Sequence, residues 1–276
     1  MDIVFIFTNF NNTSYTDLAI NSILKSDARH SRIIVVDNAS DEGNVDYLRR
    51  LESNHHTLEV IYLEKNIGYF PGLNKGLDLL SDDERLNSYI VIGNNDLEFE
   101  KDILSNLSLI SEDIKRNPVL SPRITTMDGV EQNPHVIKKI SRLRNFIYDL
   151  YHMNYYLARI IILLSNLTHR YSDRKDELEF EREQQIYQGY GACYILTPSF
   201  FKFFDALPVD SFLMYEEFFL ANMLSREGFK YFYCPSIRVK HYCHAATNCI
   251  PGKLKWKYSR DAHKKYRKAL KNFSFD

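Results

Sequence analysis

The chain has 276 residues, with 35 Lys plus Arg against 36 Asp plus Glu and a formal net charge of −1. That balance excludes a nucleic-acid binder driven by bulk charge. A composition of 45% apolar and 26% charged residues excludes an intrinsically disordered chain. The length fits one large α/β domain or two small ones.

In chain order, IVFIF at 3–7 is a short apolar run that ends at Thr8-Asn9-Phe10-Asn11-Asn12, and a helical pattern follows from about Ser14 to Lys25. Strand, polar loop and helix is the reading. The unit recurs at RIIVVD (32–37) with a helix from about Asn44, and at LEVIYLE (58–64) with a helix from about Gly72. It recurs again at SYIVIG (88–93) with a helix from about Lys101. Strands alternating with helices predict a mostly parallel sheet with helices on both faces. The stretch from about 130 to 187 breaks the alternation and reads as a helical insertion that ends in the acidic run DELEFERE (176–183). Strand-like sequence resumes at GYGACYIL (189–196), a helix is expected from about Tyr215 to Glu227, and KYFYCPSIRVKH leads to His241. From 253 onward, nine Lys or Arg against two Asp predict a basic C-terminal helix.

Four cysteines, Cys193, Cys234, Cys243 and Cys249, include no Cys-x-x-Cys pair and read as neither a disulfide framework nor a zinc ribbon. A cytoplasmic compartment is expected. MDIVFIFTNF lacks a basic leader and a cleavage site, and no apolar run reaches the roughly 20 residues that span a bilayer.

In open α/β sheets, ligands bind beyond the carboxyl ends of the strands, and here those loops are polar. The first lacks Gly-x-Gly-x-x-Gly, and the chain has no Gly-x-x-x-x-Gly-Lys-Ser/Thr, which disfavours dinucleotide enzymes and P-loop nucleotidases. Asp37 ends the second strand, where it can accept from a base N–H or a ribose hydroxyl beside Asn38 and Ser40; the alternative is a helix-capping turn. Ten glycines are about half the usual frequency of roughly 7%, so those in Asn66-Ile-Gly68-Tyr-Phe-Pro-Gly72-Leu-Asn74-Lys-Gly76 read as backbone requirements. They are expected to open a helix and offer N–H groups to an anion or a sugar. Asp96 in Asn94-Asn95-Asp96 suits Mg²⁺ or Mn²⁺, though one carboxylate is a weak metal signal. Glu216-Glu217 stand at a helix start, where the dipole favours carboxylates, and neighbouring positions diverge by about 100°, so one of them is expected to face the crevice.

Together, IIVVDNASDEG, EKNIGYFPGLNKGL, VIGNNDLEF, YGACYILTPSFF and FLMYEEFFLANMLSREGFKYFYCPSIRVKHYCHAAT resemble, in order, the family 2 glycosyltransferases, most closely a bacterial surface-polysaccharide, rhamnosyltransferase-like branch. The resemblance covers most of 1–130 and 186–247. It implies a GT-A type, Rossmann-like nucleotide-sugar-binding α/β domain across 1–276. Residues 1–130 would be the donor half, 131–187 the insertion, 188–252 the acceptor and catalytic half and 253–276 the basic helix.

By that resemblance, Asp37 with Thr8 and Asn9 would hold the nucleobase of a UDP- or dTDP-sugar. Asn38, Ser40, Asn66, Gly68, Gly72, Asn74, Asn94 and Asn95 would shape the donor pocket. Asp96 and His241 would hold a divalent metal, Mg²⁺ or Mn²⁺. Glu217, with Glu216 in reserve, would be the base that activates an acceptor hydroxyl in an inverting transfer to a saccharide. Two departures stand out: Asn94 replaces the first acid of the family's Asp-x-Asp, and Phe219 and Met223 replace its later Asp and Arg. The implied role is surface-polysaccharide (O-antigen or capsule) biosynthesis. The rivals are a sugar-nucleotide-binding scaffold without catalysis and a nucleotidyltransferase.

Residues 135–175 carry eight Lys or Arg against two Asp around YYLARIIILL. Such a segment suits peripheral contact with the inner face of a membrane, where a polyprenyl-linked acceptor would sit, or else a lid or a dimer contact.

Overall fold

The computed structural model describes residues 2–167, 175–243 and 252–271. Four strands build its first half: β1 (Asp2–Asn9), β2 (Arg32–Asp37), β3 (Leu58–Tyr62) and β4 (Ser88–Asn94). They pair in parallel in the order β3-β2-β1-β4, so Asn9 sits beside Asp37 and Thr8 beside Asn94 at one edge of the sheet. Between them run α1 (Thr13–Leu24), α2 (Glu42–Asn54), α3 (Tyr69–Leu77) and α4 (Asp82–Asn87). Alternate side chains of a strand point to opposite faces. Ile3, Phe5 and Phe7 of β1 accordingly join a core under α1 and α2, while Val4 and Ile6 join a second core under α3. Both faces being covered explains why these strands are apolar at almost every position.

The sheet continues through β5 (Leu97–Phe99), β6 (Val119–Thr126), β7 (Gln184–Ile186), β8 (Cys193–Leu196) and β9 (Tyr231–His241), in the full order β3-β2-β1-β4-β8-β6-β9-β5, with β7 also on β9. β8 is antiparallel to β4 and β6, whereas β6 and β9 are parallel. The expected α/β architecture with a mostly parallel sheet is present. Its second half is more mixed than the alternating pattern implies. Strands β5, β6 and β7 carry no sequence expectation, because β5 and β7 are three residues long and β6 contains Pro122 at a register shift. GYGACYIL is strand only from Cys193 onward.

The remaining helices are α5 (Ile103–Ser108), α6 (Glu112–Lys115), α7 (Arg142–Met153), α8 (Tyr155–Leu167), α9 (Glu216–Arg226) and α10 (Gly252–Lys271). α7 and α8 form the helical insertion, and α10 is the basic helix. Trp256 of α10 donates from Nε1 to the carbonyl of Tyr151 at 3.1 Å, and Tyr155 packs edge-on against Trp256. Cys249 lies outside the described residues, as do residues 168–174 of the expected insertion and 272–276 of the C-terminal segment.

Candidate functional site

Strand termini β1, β2 and β4 bring the expected donor residues to one edge, but several of them turn inward. Asn9 is fully buried: its amide donates to Asp37 Oδ1 at 2.8 Å and to Ser40 Oγ at 3.1 Å, and its carbonyl accepts from Thr16 Oγ1 at 2.9 Å. Asn95 Nδ2 lies 2.7 Å from both Asn12 Oδ1 and Thr16 Oγ1 and 2.9 Å from Asn9 Oδ1. These two amides therefore tie β1, α1 and the end of β4 together, and the expectation that they line the pocket is corrected. Their buried polar groups need partners inside the protein. Asn74 is a second correction, since its amide makes a reciprocal pair with the backbone of Leu207, 2.9 Å each way.

Asp37 is 1% exposed and accepts from Asn9, from the Ser40 hydroxyl and from the Ser40 backbone N–H at 3.0 Å. Its carboxylate shapes the Ser40 turn, in which Ala39 takes a left-handed φ of 63°. Asn38 reaches across to the next loop, donating to the Gly68 carbonyl at 3.1 Å and accepting from the Ile67 N–H at 3.3 Å. Asn66 accepts from the Gly68 N–H at 2.9 Å. Thr8, Ser40, Asn66 and Asn94 retain partly exposed surface at this edge.

The glycines do not open a helix at Gly72. α3 begins three residues earlier, at Tyr69. The Tyr69 N–H goes to the Phe212 carbonyl, Pro71 has no N–H, and the Gly72 N–H goes to the Gly68 carbonyl, so three of the four first-turn positions offer no free donor to an anion. Gly68 is required by its φ of +100°, with the Phe212 carbonyl against the space a Cβ would fill. Gly72 allows α3 to close on Thr8 and Asn38, which stand 3.0 and 2.9 Å from where its Cβ would be.

Asp96 and His241, 145 positions apart, meet because β5 lies antiparallel on β9 with Leu97 opposite His241. Both are almost fully buried. His241 Nδ1 lies 2.8 Å from Gln132 Oε1, a carbonyl oxygen that can only accept, which puts the ring proton on Nδ1. The Gln132 amide nitrogen is in turn 3.3 Å from the Tyr190 hydroxyl. His241 Nε2 is thereby left with a lone pair 3.2 Å from Asp96 Oδ1, an oxygen with no hydrogen-bond donor of its own. Two buried lone pairs facing each other are satisfied by a proton or by a metal cation between them, and an imidazole held by an outer partner is the usual arrangement around a metal. Among the described residues no cluster of three or more His, Cys, Asp or Glu could hold a metal ion, so this pair would supply two ligands and leave the rest to water or a bound phosphate. Asn94, the replaced acid, sits with its amide 3.5 Å from His241 Nε2.

Glu216 and Glu217 begin α9 after two residues with left-handed backbone, Met214 at φ 72° and Tyr215 at φ 69°. Glu216 is 5% exposed, and its Oε1 lacks a hydrogen-bond partner. Burial, and secondarily the neighbouring Glu217, push its carboxyl up to about 8. Glu217 is half-buried over Gly191, where a Cβ would lie 3.7 Å from its Oε2, and burial raises its pKa as well. Tyr69 and Tyr190 each feel the charges of both Glu217 and Asp96, which brings the acid pair and the Asp96–His241 pair to one region. Tyr69 donates to the Gly191 carbonyl at 2.9 Å, and burial pushes Tyr190 up to about 12.

The turn that carries the two acids is held from outside the sheet. His263 of α10 has Nε2 2.8 Å from Asp149 of α7, so its Nδ1 accepts from the Tyr215 hydroxyl at 2.9 Å. His152 stacks on His263 with ring centroids 4.2 Å apart, and Arg267 donates to the second oxygen of Asp149 at 2.9 Å. Phe219, where an Asp is expected, packs edge-on against Tyr266 of α10. Gln132, Asp149 and His263 lie in no motif, and Tyr69, Tyr190 and Tyr215 lie within the motifs without an expected role, since only the fold assembles these contacts.

Solved structures resemble this one over most of its length. A mannosyltransferase from Pyrobaculum calidifontis in complex with GDP-Man and Mn²⁺ has a TM-score of 0.57 and 14% identity over 98% of this chain and 64% of its own. GalNAc-T7 with UDP, GalNAc and Mn²⁺ has a TM-score of 0.58 and 12% identity over 87% of this chain and 44% of its own. TarS 1–349 of S. aureus in complex with UDP-GlcNAc has a TM-score of 0.55 and 13% identity over 91% and 62%. These likenesses establish the GT-A type fold. In sequence, the putative teichuronic acid biosynthesis glycosyltransferase TuaG of Bacillus subtilis (strain 168) is 28% identical over 96 residues, which span 35% of this chain and 36% of that protein. The family described as glycosyl transferase family 2 matches residues 4–174, well over half of the chain, and with that match the protein belongs to glycosyl transferase family 2.

Proposed function

We propose that this protein transfers a sugar from a nucleoside-diphosphate donor to a saccharide hydroxyl, inverting the anomeric centre, in the assembly of a bacterial cell-surface polysaccharide. The observation that carries the reading is the convergence of the Asp96–His241 pair and the raised Glu216–Glu217 pair at the carboxyl edge of the sheet. Relatives of this fold that hold UDP, UDP-GlcNAc or GDP-Man, two of them with Mn²⁺, support a nucleotide-sugar donor and a divalent metal. The teichuronic acid relative supports a surface polysaccharide as the product. The chain would act as one domain, with residues 1–130 as the donor half, 188–252 as the acceptor half, and 131–187 and 253–276 added to them.

The donor would lie along the Thr8, Ser40 and Asn66 edge, with the Asp37 network fixing the shape of that edge rather than offering a free carboxylate. Asp96 and His241 would hold the divalent metal, Mg²⁺ or Mn²⁺, which supplies charge neutralisation to a departing diphosphate. Glu217 would take the proton of the acceptor hydroxyl, since its side chain retains exposed surface and its raised pKa makes it a stronger base than a solvated carboxylate. Glu216, more deeply buried, would stay protonated near neutral pH and spare Glu217 a second adjacent charge. An acceptor carried on a polyprenyl lipid would place the enzyme at the cytoplasmic face of a membrane.

The test is a transfer assay with UDP- and dTDP-sugars and lipid-linked or free oligosaccharide acceptors, with the anomeric configuration of the product read by NMR. Glu217→Gln is expected to lower transfer by about 10²–10⁴-fold while donor binding stays within twofold. Retention of more than about a tenth of the activity would remove Glu217 from the role of base.

A further inference from the structure

Helices α7, α8 and α10 together carry twelve Lys or Arg against two acids, Asp149 and Asp261. The whole chain has a net charge of −1, so these three helices hold +10 and everything else holds −11. The acid that faces inward, Asp149, is itself paired with Arg267.

The same helices carry an apolar ridge that stays exposed among the described residues. On α7, Tyr148 and His152 face Phe218, Tyr215 and α10. At 100° per residue, Leu143, Phe146, Ile147, Leu150 and Met153 fall in a separate arc of about 120° pointing away from that contact. Leu143, Phe146 and Met153 on α7, with Tyr156, Ile160 and Leu163 on α8, are each more than half exposed. Among the described side chains of α8 only Ala158 is buried. The ridge and the charge adjoin, because Met153 lines an opening of about 400 Å³ together with Lys264 and Lys268 of α10.

A bilayer with anionic headgroups matches this surface in both respects: aliphatic and aromatic side chains enter the headgroup–acyl boundary, and the surrounding cations meet the headgroup charge. A second copy of the chain matches only the apolar part, since it would bring two faces of +10 together. No helix among the described residues is long and apolar enough to cross a membrane, so the contact is one of lying on the surface. We propose that α7, α8 and α10 form a docking surface for an anionic lipid bilayer. The surface backs directly onto the turn bearing Glu216 and Glu217 through the Tyr148–Phe218 and Tyr215–His263 contacts, which orients the acceptor side toward the membrane. The inference is independent of the donor chemistry, and its test involves no sugar nucleotide.

The full chain is to be sedimented with vesicles of phosphatidylcholine alone and with about 30% phosphatidylglycerol, at low salt and at about 0.5 M salt. Binding is expected to be at least about tenfold stronger on the anionic vesicles and to weaken at high salt. Ile160→Glu with Leu163→Glu is expected to abolish it, and Lys264→Glu with Lys268→Glu to weaken it by about tenfold or more, with unchanged circular dichroism. Equal partition to neutral and anionic vesicles, no binding to either, or indifference to both double variants would overturn the proposal. So would a dimer, detected by light scattering, that Ile160→Glu with Leu163→Glu dissolves while no vesicle binding is found.

Discussion

Glu216 shows how a single side chain sets measurable behaviour. An unfolded glutamate loses its proton near 4.5, whereas in the folded chain burial holds Glu216 up to about 8. Between those values the native state binds the extra proton, so the stability associated with this residue is complete below about 4.5 and is lost as the pH rises through 8. Glu216→Gln keeps the shape and cannot ionise. Its melting temperature should therefore gain on the wild type between pH 6 and pH 9, by the equivalent of about 1–3 kcal/mol, with activity retained within about tenfold. A temperature gap that does not change with pH would show that Glu216 keeps its charge when buried. The residue scale is also where the sequence was least informative about roles. Asn9, Asn74 and Asn95 lie in motifs that read as ligand-facing, yet their amides bond within the protein. A motif records which residues are held, not which way they point. Gln132 had no signal at all, because its partner His241 is 109 positions away.

Among the elements, the turn before α9 connects the insertion to the two acids proposed for the chemistry. Two consecutive non-glycine residues with positive φ cost free energy that the surroundings must supply, and the Tyr215–His263–Asp149 chain with the stacked His152 is what surrounds them. Burial holds both imidazoles below their ordinary pKa, His152 at about 4. The unfolded chain then binds more protons below about 6.5, and this clamp weakens on acidification. Tyr215→Phe should cost about 1–3 kcal/mol of stability, the range for leaving a buried hydrogen-bonding group, here the His263 ring nitrogen, without its partner. It should lower kcat with little change in the donor KM, because the acids shift while the donor edge does not. A variant with unaltered kcat and an unaltered melting temperature would show that the turn needs no clamp. Elements β1 to β4 were legible because a strand buried on both faces is apolar throughout. Strands β5, β6 and β7 were not, being short or broken by Pro122 and held by neighbours rather than by their own pattern.

For the molecule as a whole, the sheet separates two tasks. Its parallel half carries the polar edge, and its mixed half brings β9 back so that His241 meets Asp96 and Gly191, just before β8, lies under Glu217. Order along the sequence made the fold legible, since five motifs recur in the family's order. The assembly of insertion and C-terminal helix was not, because their basic and apolar composition says only that they form a surface. On the proposed function, this edge binds a nucleoside diphosphate with a divalent cation held by Asp96 and His241. Calorimetric titration of the full chain with UDP, dTDP, GDP and CMP, each with and without Mn²⁺, tests it most directly. The expected result is that one diphosphate binds, at least about tenfold tighter with Mn²⁺, and that Asp96→Ala removes the metal effect. No binding by any nucleotide, or a metal effect that survives Asp96→Ala unchanged, would contradict it.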